Sequence, residues 1–116
     1  MAVVVDASAL ITALLGRSAG AHALRRRLVT EVCHAPHLID AEVGNVLRRR
    51  VLRGELAPAD GRILLAAGAP LVDYRYEMTD ALAGAAWILR DNFTFYDALY
   101  VALAQALTCP LLTADE

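Results

Sequence analysis

The stretch Val3-Val4-Val5-Asp6-Ala7-Ser8-Ala9-Leu10-Ile11 decides the fold class of this chain. Three β-branched residues in succession suit a strand with both faces buried, the condition of an inner strand in a parallel sheet. The acid that ends the run is followed by Ser8, a good helix-capping residue, so a first helix is expected over residues 9–15. A strand that passes straight into a helix opens a βαβ unit, whose returning strand lies parallel to the first.

The rest of the chain repeats that alternation. Gly16, Arg17 and Ser18 interrupt the first helix, and residues 19–29 carry Ala23, Leu24 and Leu28 along one side of a half-exposed second helix. Residues 31–35 read as a short strand before Pro36. Asp40 is expected to start a helix whose apolar stripe is Ile39, Val43, Val46, Leu47 and Val51, ended by Gly54. Pro58 suits the first turn of a helix over 59–67, and residues 71–74 read as a strand. Helices follow over 79–90 and 95–107, the latter apolar on nearly every side and therefore buried, before a last strand at 111–113. The pattern predicts an α/β protein, a three-layer α/β/α sandwich around a central parallel sheet with right-handed crossovers, in one domain spanning 1–116. Thr113-Ala114-Asp115-Glu116 has the form of a capping box and announces a helix where the sequence stops, so a truncated C-terminus is expected.

With 116 residues and 58% hydrophobic content, the chain can bury one core and not two. A net charge of -2 gives no overall positive field for nucleic acid, yet all 11 basic residues are Arg. Arg-only usage fits either the coding bias of a GC-rich genome or a supply of planar forks for phosphate. The opening residues lack a basic leader and no apolar stretch approaches a membrane span; no membrane association and a cytoplasmic location are expected. Cys33 and Cys109 fall in no ligand pattern and read as small hydrophobes.

Four acids carry the chemistry. Asp6 and Asp115 stand at the carboxyl ends of expected strands, where open parallel sheets bind their ligands. Each also has a plain structural role, next to the dipole of a following helix. Glu42 is a first-turn acid, but it lies one turn before Val46, at the border of the buried stripe. Asp97 closes the capping box Thr94-Phe95-Tyr96-Asp97, while Val101 and Ala104 share its face and direct its carboxylate along a buried side. Together, four separate elements bring an acid to the same end of one sheet. Like charges about 4 Å apart repel by roughly 4 kcal/mol at an effective dielectric near 20, so such a cluster persists only with protons, basic partners or bound cations. Oxygen ligands without His or Cys select a hard cation, Mg²⁺ or Mn²⁺. A cation of that kind polarises a phosphodiester and activates water, which is hydrolytic nuclease chemistry.

Arg48, Arg49, Arg50 and Arg53 follow Glu42 on one helix and read equally as RNA contacts or as a solvated face; Arg49 and Arg53 share roughly the phase of Glu42, while Arg48 lies well round the helix. Arg25, Arg26 and Arg27 read as plain surface, Asp91 and Asn92 as a turn, and His34, His37 and Trp87 as structural. Phe93, Phe95, Tyr96 and Tyr100 could stack on bases, but packing against the core or a dimer partner is the better account. An aspartyl phosphatase would place a second acid two residues after Asp6, where Ser8 stands, and a receiver domain would need a lysine that the chain lacks. The alternative from another class is a non-catalytic RNA- or protein-binding module on the same fold.

The segments VVVDASALI, APHLIDAEVGNVLRRRV, NFTFYDALYVALAQAL and PLLTADE together resemble the PIN-domain ribonucleases, and within them the VapC-type toxins of bacterial toxin–antitoxin pairs. The resemblance runs from Val3 to Asp115. It implies Asp6 and Asp97 as principal metal ligands, and Glu42 and Asp115 as completing acids that bind metal or orient water. Ser8 and Thr113 would be supporting hydroxyls. It further implies a homodimer, an RNA substrate and a cognate VapB-like antitoxin covering the acidic pocket.

Overall fold

Val3, Val4 and Val5 are completely buried in strand β1 (Ala2–Val5) of the computed structural model, which describes residues 1–114. Burial on both faces is what a β-branched run tolerates best, and it makes β1 an inner strand. On one side β1 pairs in parallel with β2 (Val32–Pro36), Val3 opposite Cys33. On the other it pairs in parallel with β4 (Leu111–Leu112), Val5 opposite Leu112. A short β3 (Tyr74–Tyr76) joins the outer side of β2, and the sheet order is β3-β2-β1-β4, all parallel.

Parallel neighbours require crossovers, and each crossover here is a pair of helices. Helices α1 (Ala7–Leu15) and α2 (Ala19–Thr30) lead from β1 to β2; α3 (Leu38–Leu52) and α4 (Pro58–Gly68) lead from β2 to β3; α5 (Asp80–Ile88) and α6 (Phe95–Leu107) lead from β3 to β4. The expected parallel sheet flanked by helices is therefore present. Helix α1 packs on α2, α3 and α4, while α6 packs on α5 and lies against β1, β2 and β4. Leu10 of α1 and Ile39 of α3 are among the largest fully buried side chains, each worth about 1.5–3 kcal/mol of burial.

Four local expectations are corrected. Helix α1 begins at Ala7 and is capped by Asp6, not Ser8: the Asp6 backbone is extended and its Oδ1 accepts the Ala9 N–H at 2.9 Å. An anion at the N-cap gains from both the free N–H groups and the helix dipole, so the carboxylate displaces the hydroxyl from that role. Helix α3 starts at Leu38, ahead of Asp40, because the Asp40 carboxylate is engaged elsewhere, by Arg75 Nε at 2.6 Å and Nη2 at 2.9 Å. The third strand lies at Tyr74–Tyr76 and not at residues 71–74. Leu71 ends a 3₁₀ turn, and Asp73 binds β2 in two directions, its N–H donating to Cys33 O (2.8 Å) and its Oδ2 accepting from Cys33 N (2.7 Å). Arg25 is not plain surface: its Nη1 donates to Ala13 O (2.7 Å) and Gly16 O (3.3 Å), satisfying carbonyls at the end of α1.

Candidate active site

Because β1 and β4 run side by side in parallel, both deliver their next residues to one edge of the sheet. Asp6 N donates to Leu112 O at 3.1 Å across that edge. Ser8 Oγ donates its only proton to Asp6 Oδ1 (2.7 Å), so the 3.2 Å contact with Thr113 Oγ1 has threonine as donor. The same oxygen also accepts from Ala114 N at 3.1 Å. Ser8 thus ties the Asp6 carboxylate to the end of β4.

Glu42 is not the first-turn acid expected: with α3 starting at Leu38 it enters from the second turn, half-buried, and its Oε1 accepts a 2.6 Å hydrogen bond from Tyr100 Oη of α6. Tyr100 is only 3% exposed. The Glu42 carboxyl is pushed above its usual range by burial. The Tyr100 bond opposes that rise, and the charges of Asp97 and then Asp6 add to it. The Tyr100 phenol is in turn pushed far up, by burial first, then by its bond to Glu42 and by the charges of Glu42, Asp6 and Asp40. It is therefore a neutral donor at any ordinary pH.

Asp97 sits in the first turn of α6. Thr94 Oγ1 accepts from Asp97 N at 3.2 Å, the forward half of the capping box, but among the described residues no bond returns from the Asp97 carboxylate to Thr94 N. The carboxylate is left free of that structural role. Its expected burial is corrected: Asp97 is exposed, because the first turn of α6 projects past the sheet edge while Ala98, Leu99 and Tyr100 behind it are buried. Asp115 lies outside the described residues.

Asp6, Ser8, Glu42, Asp97 and Thr113 all line one cleft of about 910 Å³, together with Tyr100, Phe93 and Arg49, Arg50 and Arg53 of α3. The cleft thus has an acidic end and a basic wall. Two of its residues were named in the sequence without the place the fold gives them, Tyr100 as a packing aromatic and Arg50 among the arginines that follow Glu42. Tyr100 follows Asp97 by three positions on the same helix face, a spacing that could have flagged it. Arg50 follows Val46 by four. Phe93 and Tyr96 do not pack into the core; they are 41% and 63% exposed. Trp87 is 60% exposed, with the Arg90 guanidinium 5.3 Å above its ring.

The donor set can be tested for a metal on its own chemistry. Three carboxylates face one cleft, and the negative charges of Asp6 and Asp97 raise the Glu42 pKa, so the three interact electrostatically. Oxygen-only donors of this charge fit Mg²⁺ or Mn²⁺. Among the described residues, however, no three His, Cys, Asp or Glu side chains converge closely enough to form a ready metal cluster. Asp6 Oδ1 is committed to Ser8 and Ala9 N, and Glu42 Oε1 to Tyr100, which leaves one oxygen of each for a ligand.

Residues 3–116 match the family profile described as "PIN domain". The chain belongs to the PIN-domain family. Among its relatives, Ribonuclease VapC1 of Mycobacterium tuberculosis is 52% identical over 97% of this chain and 85% of that protein. Ribonuclease VapC9 of the same organism is 43% identical over the same shares. The PIN fold recurs in the crystal structure of PAE2754 from Pyrobaculum aerophilum, with a TM-score of 0.76 at 26% identity over 100% of this chain and 81% of that one. It recurs also in M. tuberculosis VapC20, a sarcin-ricin loop cleaving toxin, with a TM-score of 0.72 at 18% identity over 97% and 89%. With this identity, the PIN chain stands among the VapC ribonucleases. Among its described residues no helix is long and apolar enough to cross a membrane.

Proposed function

We propose that this PIN-domain chain is a metal-dependent endoribonuclease, the toxin of a type II toxin–antitoxin pair. The observation that carries the proposal is the meeting of Asp6, Glu42 and Asp97, from three distant elements, in one cleft beyond the carboxyl edge of a parallel sheet. Asp6 and Asp97, with Asp115 completing the set, would hold Mg²⁺ or Mn²⁺. The bound ion supplies Lewis acidity toward the phosphodiester and lowers the pKa of a coordinated water.

The chain's own residues prepare the rest. Tyr100 fixes Oε1 of Glu42, which leaves Oε2 to accept a proton from, and orient, the attacking water. Ser8 and Thr113 hold Asp6 against the sheet edge, so that its free oxygen keeps one direction. Arg49 and Arg53 draw the RNA backbone to the basic wall. The acidic end also suits a basic segment of a VapB-like antitoxin protein. A homodimer, which the family resemblance implies, and a cytoplasmic location complete the proposal.

The test is incubation of the chain with a mixed pool of tRNA, rRNA and mRNA, with and without Mg²⁺, beside Asp97→Asn. Cleavage that needs the metal, stops with chelator and is lost in the folded variant supports the proposal. RNA binding by well-folded wild type without any cleavage overturns it in favour of a binding module.

A further inference from the structure

Phe93 is the one exposed aromatic in the wall of the cleft among the described residues. Tyr100, the other aromatic there, is buried and bonded to Glu42, while Phe95, Tyr96 and Trp87 are exposed but line no part of the cleft. Phe93 stands just before Thr94, the N-cap of α6, from where an apolar side chain can staple onto the fourth residue of the helix, here Ala98. Ala98 needs no such cover. It is fully buried in a small cluster with Ala86, Leu99 and Ala102, closed by Leu38, Leu82 and Leu89, and Phe93 is not among them. The backbone beneath the ring is nonetheless held: Phe93 N donates to Leu89 O at 3.1 Å, and Thr94 Oγ1 accepts from Asp97 N. An apolar ring on a held stem, outside both hydrophobic clusters and in the same wall as Asp97, keeps surface in water that a flat ligand would cover.

We infer that Phe93 is a stacking platform for an unpaired nucleobase of the RNA, the base next to the phosphate held at the acids. The inference rests on the ribonuclease function proposed above and adds to it a contact to a base, where the acids and arginines address only the backbone. The neighbours name the occupant. A strand with a phosphate at Asp6, Glu42 and Asp97, and with its backbone along Arg49 and Arg53, carries its bases into the same cleft, and Phe93 is the flat apolar surface they meet there. A base inside a duplex has both faces occupied, so the platform selects single strands or loops with unstacked bases. The ring offers no hydrogen-bond readout, hence every base is accepted, with purines ahead of pyrimidines through stronger stacking.

The experiment measures binding by anisotropy in the Asp97→Asn background with Mg²⁺, across a salt series. Its probes are fluorescent oligoadenylate, oligouridylate and an abasic strand of the same length, which keeps every phosphate and loses every base. Phe93→Ala should weaken oligoadenylate binding by about tenfold, within the range of one lost base stack, and oligouridylate binding by less. It should leave the abasic strand and the slope of log K against log salt unchanged, since no phosphate contact is touched. Phe93→Trp should restore the affinity, and Tyr96→Ala, at an exposed aromatic outside the cleft, should not alter it. Undiminished oligoadenylate binding by Phe93→Ala, an equal loss on the abasic strand, no rescue by Phe93→Trp, or no binding of any strand would overturn the platform; metal-dependent cleavage by the wild type would then keep the nuclease proposal standing. Base-dependent binding through Phe93 in a wild type that never cuts RNA would overturn the nuclease proposal and leave the platform standing.

Discussion

Replacing Tyr100 by Phe removes one oxygen and nothing else from a side chain that is 3% exposed, so the packing of α6 is preserved and only the 2.6 Å bond to Glu42 is lost. A hydrogen bond to a charged group contributes about 1.5–3 kcal/mol, and removing one partner leaves the other short of an acceptor or donor. Glu42 is half-buried, so water replaces part of the bond and the lower end of that range applies, about 1.5–2 kcal/mol. For a chain of 116 residues this is a fall in Tm of roughly 5–10 °C. The pH dependence has a definite sign. The folded-state pKa of Glu42 is already raised above its usual value of 4.5, so the stability tied to this group is greatest below that value and is lost as pH rises through the folded pKa. Tyr100 opposes the rise, so its removal raises the Glu42 pKa further. The gap between wild type and Tyr100→Phe should therefore be widest near neutral pH, narrow as pH falls through the raised Glu42 pKa, and be smallest well below 4.5, where the carboxyl is protonated in both. Thermal melts in chelator from acid to neutral pH measure this. Equal melting temperatures at neutral pH, or a gap that does not change with pH, would refute the role given to the Tyr100–Glu42 bond.

Asp6 has two roles that substitution separates: Asp6→Asn keeps the Oδ1 acceptor that caps α1 and should abolish RNA cleavage with a Tm close to wild type, whereas Asp6→Ala should also lose about 1 kcal/mol of stability, read by denaturant titration. Arg75 donates to both Asp40 oxygens and to the Val72 and Ala69 carbonyls, so Arg75→Lys, which keeps the charge but loses the fork, should destabilise by about 1–2 kcal/mol without changing the cleavage of RNA by the remaining folded protein. Cys33 is completely buried and its thiol is pushed up to about 11 by burial, so near pH 8 iodoacetamide followed by mass spectrometry should label Cys109 in the native chain and Cys33 only after unfolding.

Much of the architecture was legible because it rests on short-range regularities. The Val3–Val5 run, the apolar stripe of residues 39–51 and the long apolar helix before Cys109 are patterns of neighbours, and each became the element it announced. The exceptions arose where a side chain had a better partner than the local pattern offered. Asp6 took the helix cap from Ser8, Asp40 gave up the start of α3 for Arg75, and Asp73 held the edge of β2 where a strand was expected.

The candidate site divides along the same line. Asp6, Glu42 and Asp97 could be picked out beforehand because an acid at a strand end or near a helix start is visible within a few residues. What those acids touch could not. Tyr100 lies 58 residues from Glu42, and Thr113 lies 105 from Ser8. No periodicity spans such distances; only the parallel closing of β4 onto β1 and the packing of α6 against the sheet bring the groups within bonding reach. Local sequence therefore specified the secondary elements and the chemical types at their ends. Tertiary packing alone decided which oxygen of Glu42 is held, which exposed aromatic lines the cleft, and which side of the cleft is basic, because these depend on contacts between residues that the chain sequence keeps far apart.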